Sequence, residues 1–454
     1  MKIVVIGHGK IGSKLAQQLV QEGHDIVVID NDSAALQSVV NNEDLMCVEG
    51  NAVDYQVQME AGIPESDLVI ACTDGDELNM LCCLMAKKHG AARTIARVRN
   101  PQYYEQLPFI REEMGLSMAI NPELEAANMI TRVLSFPAAN SIEPFAKGRV
   151  ELIEFILEAG NPLIGETLAQ VNQKYGLQVL ICAIQRDEKV FIPGGRDVLQ
   201  DGDRIYLVSS HAHIRSFFRH IDVFRSSVKT VMIVGGGRLA YYLAKQLLER
   251  GMRVKIIEQN MDRCRELCEE LPKAVIVHGD GSDEEVLGEE GIGNMDAFVA
   301  MTGLDEVNVI LSLYAKTQHV SKIFTKVTQI SFTGLLEHIG VESIFSPKQV
   351  TANQILRYVR ALDASSGSDG VESLSRLIDG KLEALEFRIQ KEAPYLRKPL
   401  MDLDIKQGFL VACIVRENEI IIPRGSDTIE MGDTVIIVTT IPHVQSLQDM
   451  IHPR

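Results

Sequence analysis

Short apolar runs and longer stretches of helical periodicity alternate along this chain. Residues 3–6, 26–29, 68–71 and 94–98 are rich in Ile, Val and Ala, whereas 11–20 and 78–87 gather their apolar residues on one helical face. Apolar strands alternating with helices predict a parallel sheet covered on both faces. The same succession returns at 231–234, 254–257, 297–300 and 323–327. Beyond Pro122 the pattern changes. Residues 123–134 predict one helix, amphipathic through Leu124, Ala127, Ile130 and Leu134, that stops before Pro137. Residues 138–148 read as a loose segment, and the alternation at 151–157 and 203–208 predicts strands of a small lobe. In the second half a helix at 352–362 leads into a Ser/Gly/Asp tract at 364–370, the most linker-like stretch of the chain, and then into a second lobe.

The recurrence is a duplication. KIVVIGHGKIG at 2–12 is echoed by KTVMIVGGGRLA at 229–240, and TDGDELN at 73–79 by TGLDEVN at 302–308. Gly50…Asp54 returns as Gly279…Asp283, Asn121-Pro122 as Ser346-Pro347, and the Phe191–Val208 segment at 421–438, at an offset near 228 residues. The predicted class is α/β: two Rossmann-like doubly wound domains, each followed by a small α+β lobe, from a tandem duplication. The boundaries read are 1–122 for the first Rossmann domain, 123–148 for a connecting helix and linker, and 149–225 for the first lobe. They recur as 229–350, 351–380 and 381–454.

Gly7-His8-Gly9-Lys10-Ile11-Gly12 follows an apolar strand and opens a helix, which is the context a dinucleotide fingerprint requires. Gly7 permits the tight turn, Gly9 lets the backbone approach a pyrophosphate, and Gly12 allows close helix–strand packing. Helix N–H groups and the positive end of the helix dipole then face the anion. Asp30 ends the next strand, where a carboxylate can hold both ribose hydroxyls. An acid there repels a 2′-phosphate, and Asn31, Asp32 and Ser33 supply no Arg, so NAD is favoured over NADP. The second copy offers Gly235-Gly236-Gly237-Arg238-Leu239-Ala240 and Glu258. Ala240 is compatible with a packing role, and the longer Glu258 would seat a ribose differently, leaving NAD(H) or ATP/ADP open for this site.

Thr73-Asp74 and Thr302-Gly303 end the fourth strand of each copy, at the carboxyl edge where ligands bind in such sheets. They can floor a ribose, or Thr73 or Asp74 can cap the following helix. Arg97 and Lys326 end the fifth strands and are placed to close over phosphates. His8 and Lys10 read as loop residues flanking the phosphate rather than as catalysts. Asp201/Asp203 and Glu430/Asp433 read as turns entering strands rather than as metal sites.

Composition narrows the function. A net charge of −17 disfavours a nucleic-acid partner, which Lys and Arg must grip. No apolar run reaches the length of a membrane span, and no signal peptide is evident, so a cytoplasmic location is expected. Eight cysteines without metal-ligand spacing read as reduced, mostly buried thiols. Neither small lobe offers a histidine–carboxylate constellation, and the His211/His213/His220 group has no counterpart in the second copy. A dehydrogenase would need a general acid/base near the nicotinamide, so a duplicated NAD-dependent dehydrogenase is the weaker alternative. A redox-sensing transcriptional regulator would need a basic recognition helix. No catalytic residues and no metal ligands are assigned.

On the paired strand–GxGxxG–acid units, the TDGDELN and TGLDEVN segments, the Asn-Pro or Ser-Pro helix starts and the two IPxGxDxxxxGD lobes, the whole chain resembles the RCK, or KTN, regulators of potassium transport. That resemblance implies Rossmann domains that pair into a ring, as a homo-oligomer (dimer or tetramer), with lobes that help assembly or bind ligand. It implies a peripheral protein docked on the cytoplasmic face of an integral-membrane potassium-translocating subunit. NAD(H) at the first site, and NAD(H) or ATP/ADP at the second, would shift the ring's shape and gate the pore. Gly7, Gly9, Gly12, Asp30, Thr73, Asp74 and Arg97 match the family pattern, while Ala240 and Glu258 depart from it.

Overall fold

The computed structural model describes residues 1–34, 36, 45–136, 139–175, 178–221, 228–328, 341, 343–364, 371–442, 444 and 446–452. Residues 365–370, the body of the tract read as a linker, lie outside the described residues.

In the first half, β1 (Lys2–Ile6), β2 (Asp25–Asp30), β3 (Met46–Glu49), β4 (Leu68–Ala71), β5 (Thr94–Arg97) and β6 (Met118–Ile120) form a sheet in the order β3-β2-β1-β4-β5-β6. Every pairing is parallel. Strand order reverses between β1 and β4, and in such sheets the crevice beyond the carboxyl ends at the reversal receives ligands. The apolar runs form the central strands because both faces are covered: Ile3 to Ile6 and Leu68 to Ala71 are buried. The helix Lys10–Gln21 buries Ile11, Leu15, Ala16 and Leu19. The helix Asp76–His89 stops at Gly90, whose φ of +114° is a left-handed cap suited to glycine.

A five-stranded antiparallel sheet follows, with β7 (Ser141–Phe145), β8 (Val150–Ile156), β9 (Leu180–Arg186), β10 (Lys189–Phe191) and β11 (Arg204–Ser210) in the order β10-β9-β11-β8-β7. The second half repeats both sheets. β12 (Thr230–Val234), β13 (Arg253–Glu258), β14 (Val275–His278), β15 (Ala297–Ala300), β16 (Lys322–Lys326) and β17 (Ile344–Phe345) run β14-β13-β12-β15-β16-β17. β18 (Val371–Leu377), β19 (Leu382–Arg388), β20 (Phe409–Arg416), β21 (Glu419–Ile421) and β22 (Thr434–Thr439) run β18-β19-β22-β20-β21. Position for position, the topologies are the same.

The chain forms two compact units, each drawing on both halves. One takes residues 1–131 and 229–356, and so contains both parallel sheets. The other takes 132–228 and 357–454, and contains both lobes. In the lobe unit the two antiparallel sheets share a core, with Val150, Leu152, Tyr206 and Val208 of one among Leu382, Ala384, Ala412 and Val438 of the other.

Three local readings change. The segment read as loose contains β7, an edge strand that pairs with β8 and buries Ile142 and Phe145. The helix expected at 352–362 is Pro347–Ala364, opening on a proline, which the first helical position tolerates because its missing N–H has no partner there anyway. Strands β3 and β14 went unread because they are edges: Met46 and Val275, at matching positions, are each 55% exposed and blur the apolar signal. The Gly-Asp turns before β11 and β22 hold buried carboxylates. Arg186 forks onto Asp203 at 2.7 and 2.8 Å, and Arg416 onto Asp433 at 2.9 and 2.9 Å. All eight cysteines are free thiols, six of them buried.

Candidate nucleotide-binding site

The first glycine loop joins β1 to the helix Lys10–Gln21, and its three glycines do different work. Gly7 adopts a φ of +93°, and a Cβ there would lie 2.9 Å from the Thr73 amide nitrogen. A Cβ on Gly12 would stand 1.9 Å from the Gly7 carbonyl oxygen. Both are glycines for the sake of the turn. Gly9 is different: its φ of −68° suits any residue, and a Cβ would meet nothing within 4 Å. It faces the space where a ligand would approach.

That space is a cavity of about 460 Å³ lined by Gly7, His8, Gly9, Asp30, Asp32, Asn51, Thr73 and Asp74. Asp30 is held at its mouth, with Oδ2 accepting the His8 N–H (2.5 Å) and Oδ1 accepting the Asp32 N–H (2.9 Å). An ionised carboxylate offers about four acceptor positions, so two remain for hydroxyls. Glu258 is held in the same way, by the Gly236 N–H (2.6 Å) and the Asn260 N–H (2.7 Å). The second loop is more crowded at this point. A Cβ on Gly236 would lie 2.7 Å from Leu267, and Arg263 Nε donates to the Gly236 carbonyl (2.8 Å). Gly235 repeats the positive φ at +101°, and Gly237 repeats the open position of Gly9. The Ala240 side chain is buried where the first copy has no room for one.

Thr73 and Thr302 are not helix caps. The N-caps of the helices Asp76–His89 and Asp305–Thr317 are Gly75 and Leu304, with no side-chain capping bond. The threonine hydroxyls turn instead onto Asn79 Oδ1 (2.7 Å) and Asn308 Oδ1 (2.8 Å). Each Asn also donates to the carbonyl that ends the neighbouring strand, Asn79 to Arg97 (2.9 Å) and Asn308 to Lys326 (3.0 Å). A buried Asn thus ties the fourth strand to the fifth in both copies. The repeated final Asn of TDGDELN and TGLDEVN was the signal for it.

Beyond Gly9 lies a second cavity, of about 740 Å³, where the two copies meet within their unit. Gly9, Lys10, Ile11, Asp74, Arg97 and Glu123 line it from the first copy, and Gly237, Arg238, Leu239, Ala240, Lys326 and Lys348 from the second. Arg97 is only 9% exposed. Its Nη2 donates to the Thr73 carbonyl (2.5 Å) and lies 3.3 Å from Asp74, while its Nε has no hydrogen-bond partner among the described residues. Lys326 Nζ donates to the Met301 carbonyl (3.3 Å), and burial lowers its pKa. Burial and then the charge of Lys10 lower that of Lys348. Burial raises that of Glu123, whose Oε2 is likewise unpartnered among the described residues. Five cations against two acids, with Lys326 and Lys348 disfavoured as ammonium ions, make a site short of negative charge. Glu123 and Lys348 were not singled out in the sequence, because nothing local shows that the two helix starts face one cavity. His211, in the first lobe, lies 3.2 Å from Glu151, a histidine–carboxylate contact that the sequence reading did not expect there and that forms because Glu151 on β8 lies beside the end of β11.

The sequence matches the TrkA-N domain family at residues 3–122 and 231–347 and the TrkA-C domain family at 152–222 and 384–452. The Trk system potassium uptake protein TrkA homolog 2 of Methanosarcina mazei is 32% identical, covering 99% of this chain and 100% of the relative. The Trk system potassium uptake protein TrkA of Haemophilus influenzae is 31% identical over 98% of each. The chain belongs to the TrkA family of Trk-system potassium uptake proteins. A solved GsuK RCK domain superposes with a TM-score of 0.63 at 18% identity, covering 96% of this chain and 92% of that one. A GsuK channel bound to NAD gives a TM-score of 0.64 at 18% identity over 96% of this chain and 76% of that one. At such identities the likeness speaks for the fold. Within the TrkA family fold, the TrkA-N matches span both glycine loops and both strand-end acids. Among the described residues no helix is long and apolar enough to cross a membrane.

Proposed function

We propose that this chain is a nucleotide-responsive peripheral subunit that gates a TrkH/TrkG-like integral-membrane potassium-translocating subunit from the cytoplasmic face. It works as a homo-oligomeric ring, with residues 1–122 and 229–350 as nucleotide domains and 149–225 and 381–454 as assembly lobes. The observation that carries the reading is the convergence of both glycine loops on one cation-lined cavity. NAD(H), ATP or ADP brings ribose hydroxyls and a run of phosphate charge. Asp30 is placed to accept the hydroxyls, the loop amides and the N-terminus of the helix Lys10–Gln21 face the phosphates, and Lys10, Arg97, Arg238, Lys326 and Lys348 balance their charge. Glu258 takes the role of Asp30 in the second copy, with NAD(H) or ATP/ADP as ligand.

A ligand shifts a two-state equilibrium only through its differential affinity for the two states. The cavity fits that demand, because its walls come from two domains and a polyanion there favours the arrangement in which both sets of cations reach it. The relatives, named as potassium uptake proteins, support a sensor rather than an enzyme. The test is potassium flux in vesicles carrying the membrane subunit. Gly9→Val should fold, dock and lose its response to adenine nucleotides. An unchanged response to every adenine nucleotide removes the first loop as the switch. Light scattering that shows a strict monomer, with and without nucleotide, removes the ring.

A further inference from the structure

The helix Arg238–Glu249 starts in the second glycine loop and carries Tyr242 one turn past Arg238. The Tyr242 ring is buried, and its hydroxyl reaches into the first copy. It accepts from Asn121 Nδ2 (2.8 Å) and donates to the Arg99 carbonyl (3.2 Å). Burial raises the phenol's pKa, so it remains a neutral donor and acceptor throughout the physiological range. Both partners are tied to the first site. Asn121, fully buried, also accepts the Leu124 N–H with Oδ1 (3.0 Å) at the start of the helix Pro122–Ser135. Arg99 stands two residues beyond Arg97, and its own N–H donates to Asp76 Oδ2 (2.9 Å), the first residue of the helix that follows Thr73 and Asp74. Two peripheral contacts run beside this bridge, Gln246 to Asn128 (2.8 Å) and Lys245 to Glu105 (3.1 Å).

The duplication does not repeat the bridge. Position 14, which matches Tyr242, is an exposed lysine, and the residue matching Asn121 is Ser346. Ser346 is buried, and its hydroxyl has no partner among the described residues. The two copies therefore touch through a built, one-sided hydrogen-bond chain laid between two loops that face one cavity.

We propose that Tyr242 is the positioning residue that couples the second glycine loop to the first nucleotide site, through Asn121 and the Arg99 carbonyl. A ligand that moves Arg238 moves Tyr242 on the same helical face. The displacement is then passed to the start of the helix Pro122–Ser135 and to the Arg97–Arg99 strand end. Ordering these shared elements once makes the second binding event easier, so the coupling is positive and, by linkage, reciprocal. The proposal rests on the reading of both loops as nucleotide sites.

The test is a double-mutant cycle on the full chain, with first-site affinity read by titrating NADH fluorescence. Gly237→Val blocks the second loop at a position where a Cβ has nothing within 4 Å. With Tyr242 present and ATP saturating the second loop, this block should weaken first-site NADH binding by about fivefold or more, the low end of ordinary allosteric coupling. With Tyr242→Phe, which keeps the ring, the same block should change it less than about twofold, within the spread expected of uncoupled sites. Asn121→Ser removes the arm and keeps a capping hydroxyl, so it should behave like Tyr242→Phe and supplies the test should that variant misfold. An equal effect of Gly237→Val in the Tyr242, Tyr242→Phe and Asn121→Ser backgrounds overturns the role of Tyr242. If Gly237→Val is silent in the parent, coupling itself is overturned. A parent that binds neither NADH nor ATP overturns the reading of the loops and this proposal with it.

Discussion

The two nucleotide domains share topology, strand order and loop position, yet their sites differ in kind. The first has an open cavity of about 460 Å³ beside Asp30, and a loop whose third glycine is sterically obligatory. The second places Leu267 and Arg263 against Gly236 and accommodates a side chain at Ala240. Their acids, Asp30 and Glu258, differ by one methylene but accept N–H groups from matching positions. Duplication preserves what the backbone needs, because a misplaced turn would break the sheet. Side chains facing ligand or the other copy are free to diverge, and Tyr242 is an instance.

The largest expected effect comes from filling the one loop position that is open in both copies. Gly9→Val should abolish nucleotide binding at the first site, as measured by calorimetry at concentrations that saturate the parent, and leave the melting temperature nearly unchanged. Gly237→Val should abolish binding at the second site and, with ATP present, weaken the first without abolishing it. Loss of both sites from either change would mean that the copies do not bind separately.

Asp30→Ala should weaken NAD(H) at the first site by roughly ten- to a hundredfold. A charge-assisted hydrogen bond is worth about 1.5–3 kcal/mol, and about 1.4 kcal/mol is a factor of ten. With no ATP present, Glu258→Ala should leave first-site affinity close to the parent's in the same titration. Equal losses would erase the distinction drawn between the acids.

Gly12→Ala places a Cβ against the Gly7 carbonyl and should cost about 1–3 kcal/mol in denaturant unfolding, as overpacking does. Ala240→Gly overpacks nothing and should cost about 1 kcal/mol through helix propensity. A harmless Gly12→Ala would show that the first turn can relax to the second copy's geometry.

The smallest effect concerns Glu123, whose carboxyl burial holds above its ordinary pKa. The native state then binds the proton more tightly than the unfolded chain, so stability declines as pH rises through that window. Glu123→Gln should raise the melting temperature slightly at pH 7–8 and converge with the parent near pH 4. The opposite trend would mean that the carboxylate is held by a cation rather than desolvated.

Much of this was legible along the chain. Val4 to Ile6 and Leu68 to Ala71 announce central parallel strands, because burial on both faces admits only apolar residues. Gly7-x-Gly9-x-x-Gly12 and Asp30 announce the loop and its acid, because their roles are set by neighbours within one βαβ unit. The edge strand β7 was hidden, since only Ile142 and Phe145 of its five residues are buried. What the order of residues could not show is which distant segments meet. Lys348, Glu123 and Arg97 lie far apart in sequence and become one cavity only when the copies pair. Arg186 is spoken for by Asp203 only once β9 lies beside β11. Tyr242 reads as one more apolar position on an amphipathic helix until its hydroxyl is found on Asn121, 121 residues away. Local periodicity and turn chemistry determine elements and loops, because they depend on neighbours along the chain. Charge balance, orphaned buried groups and cross-copy bonds are decided by tertiary structure, because desolvation and hydrogen bonding depend on what lies across the gap.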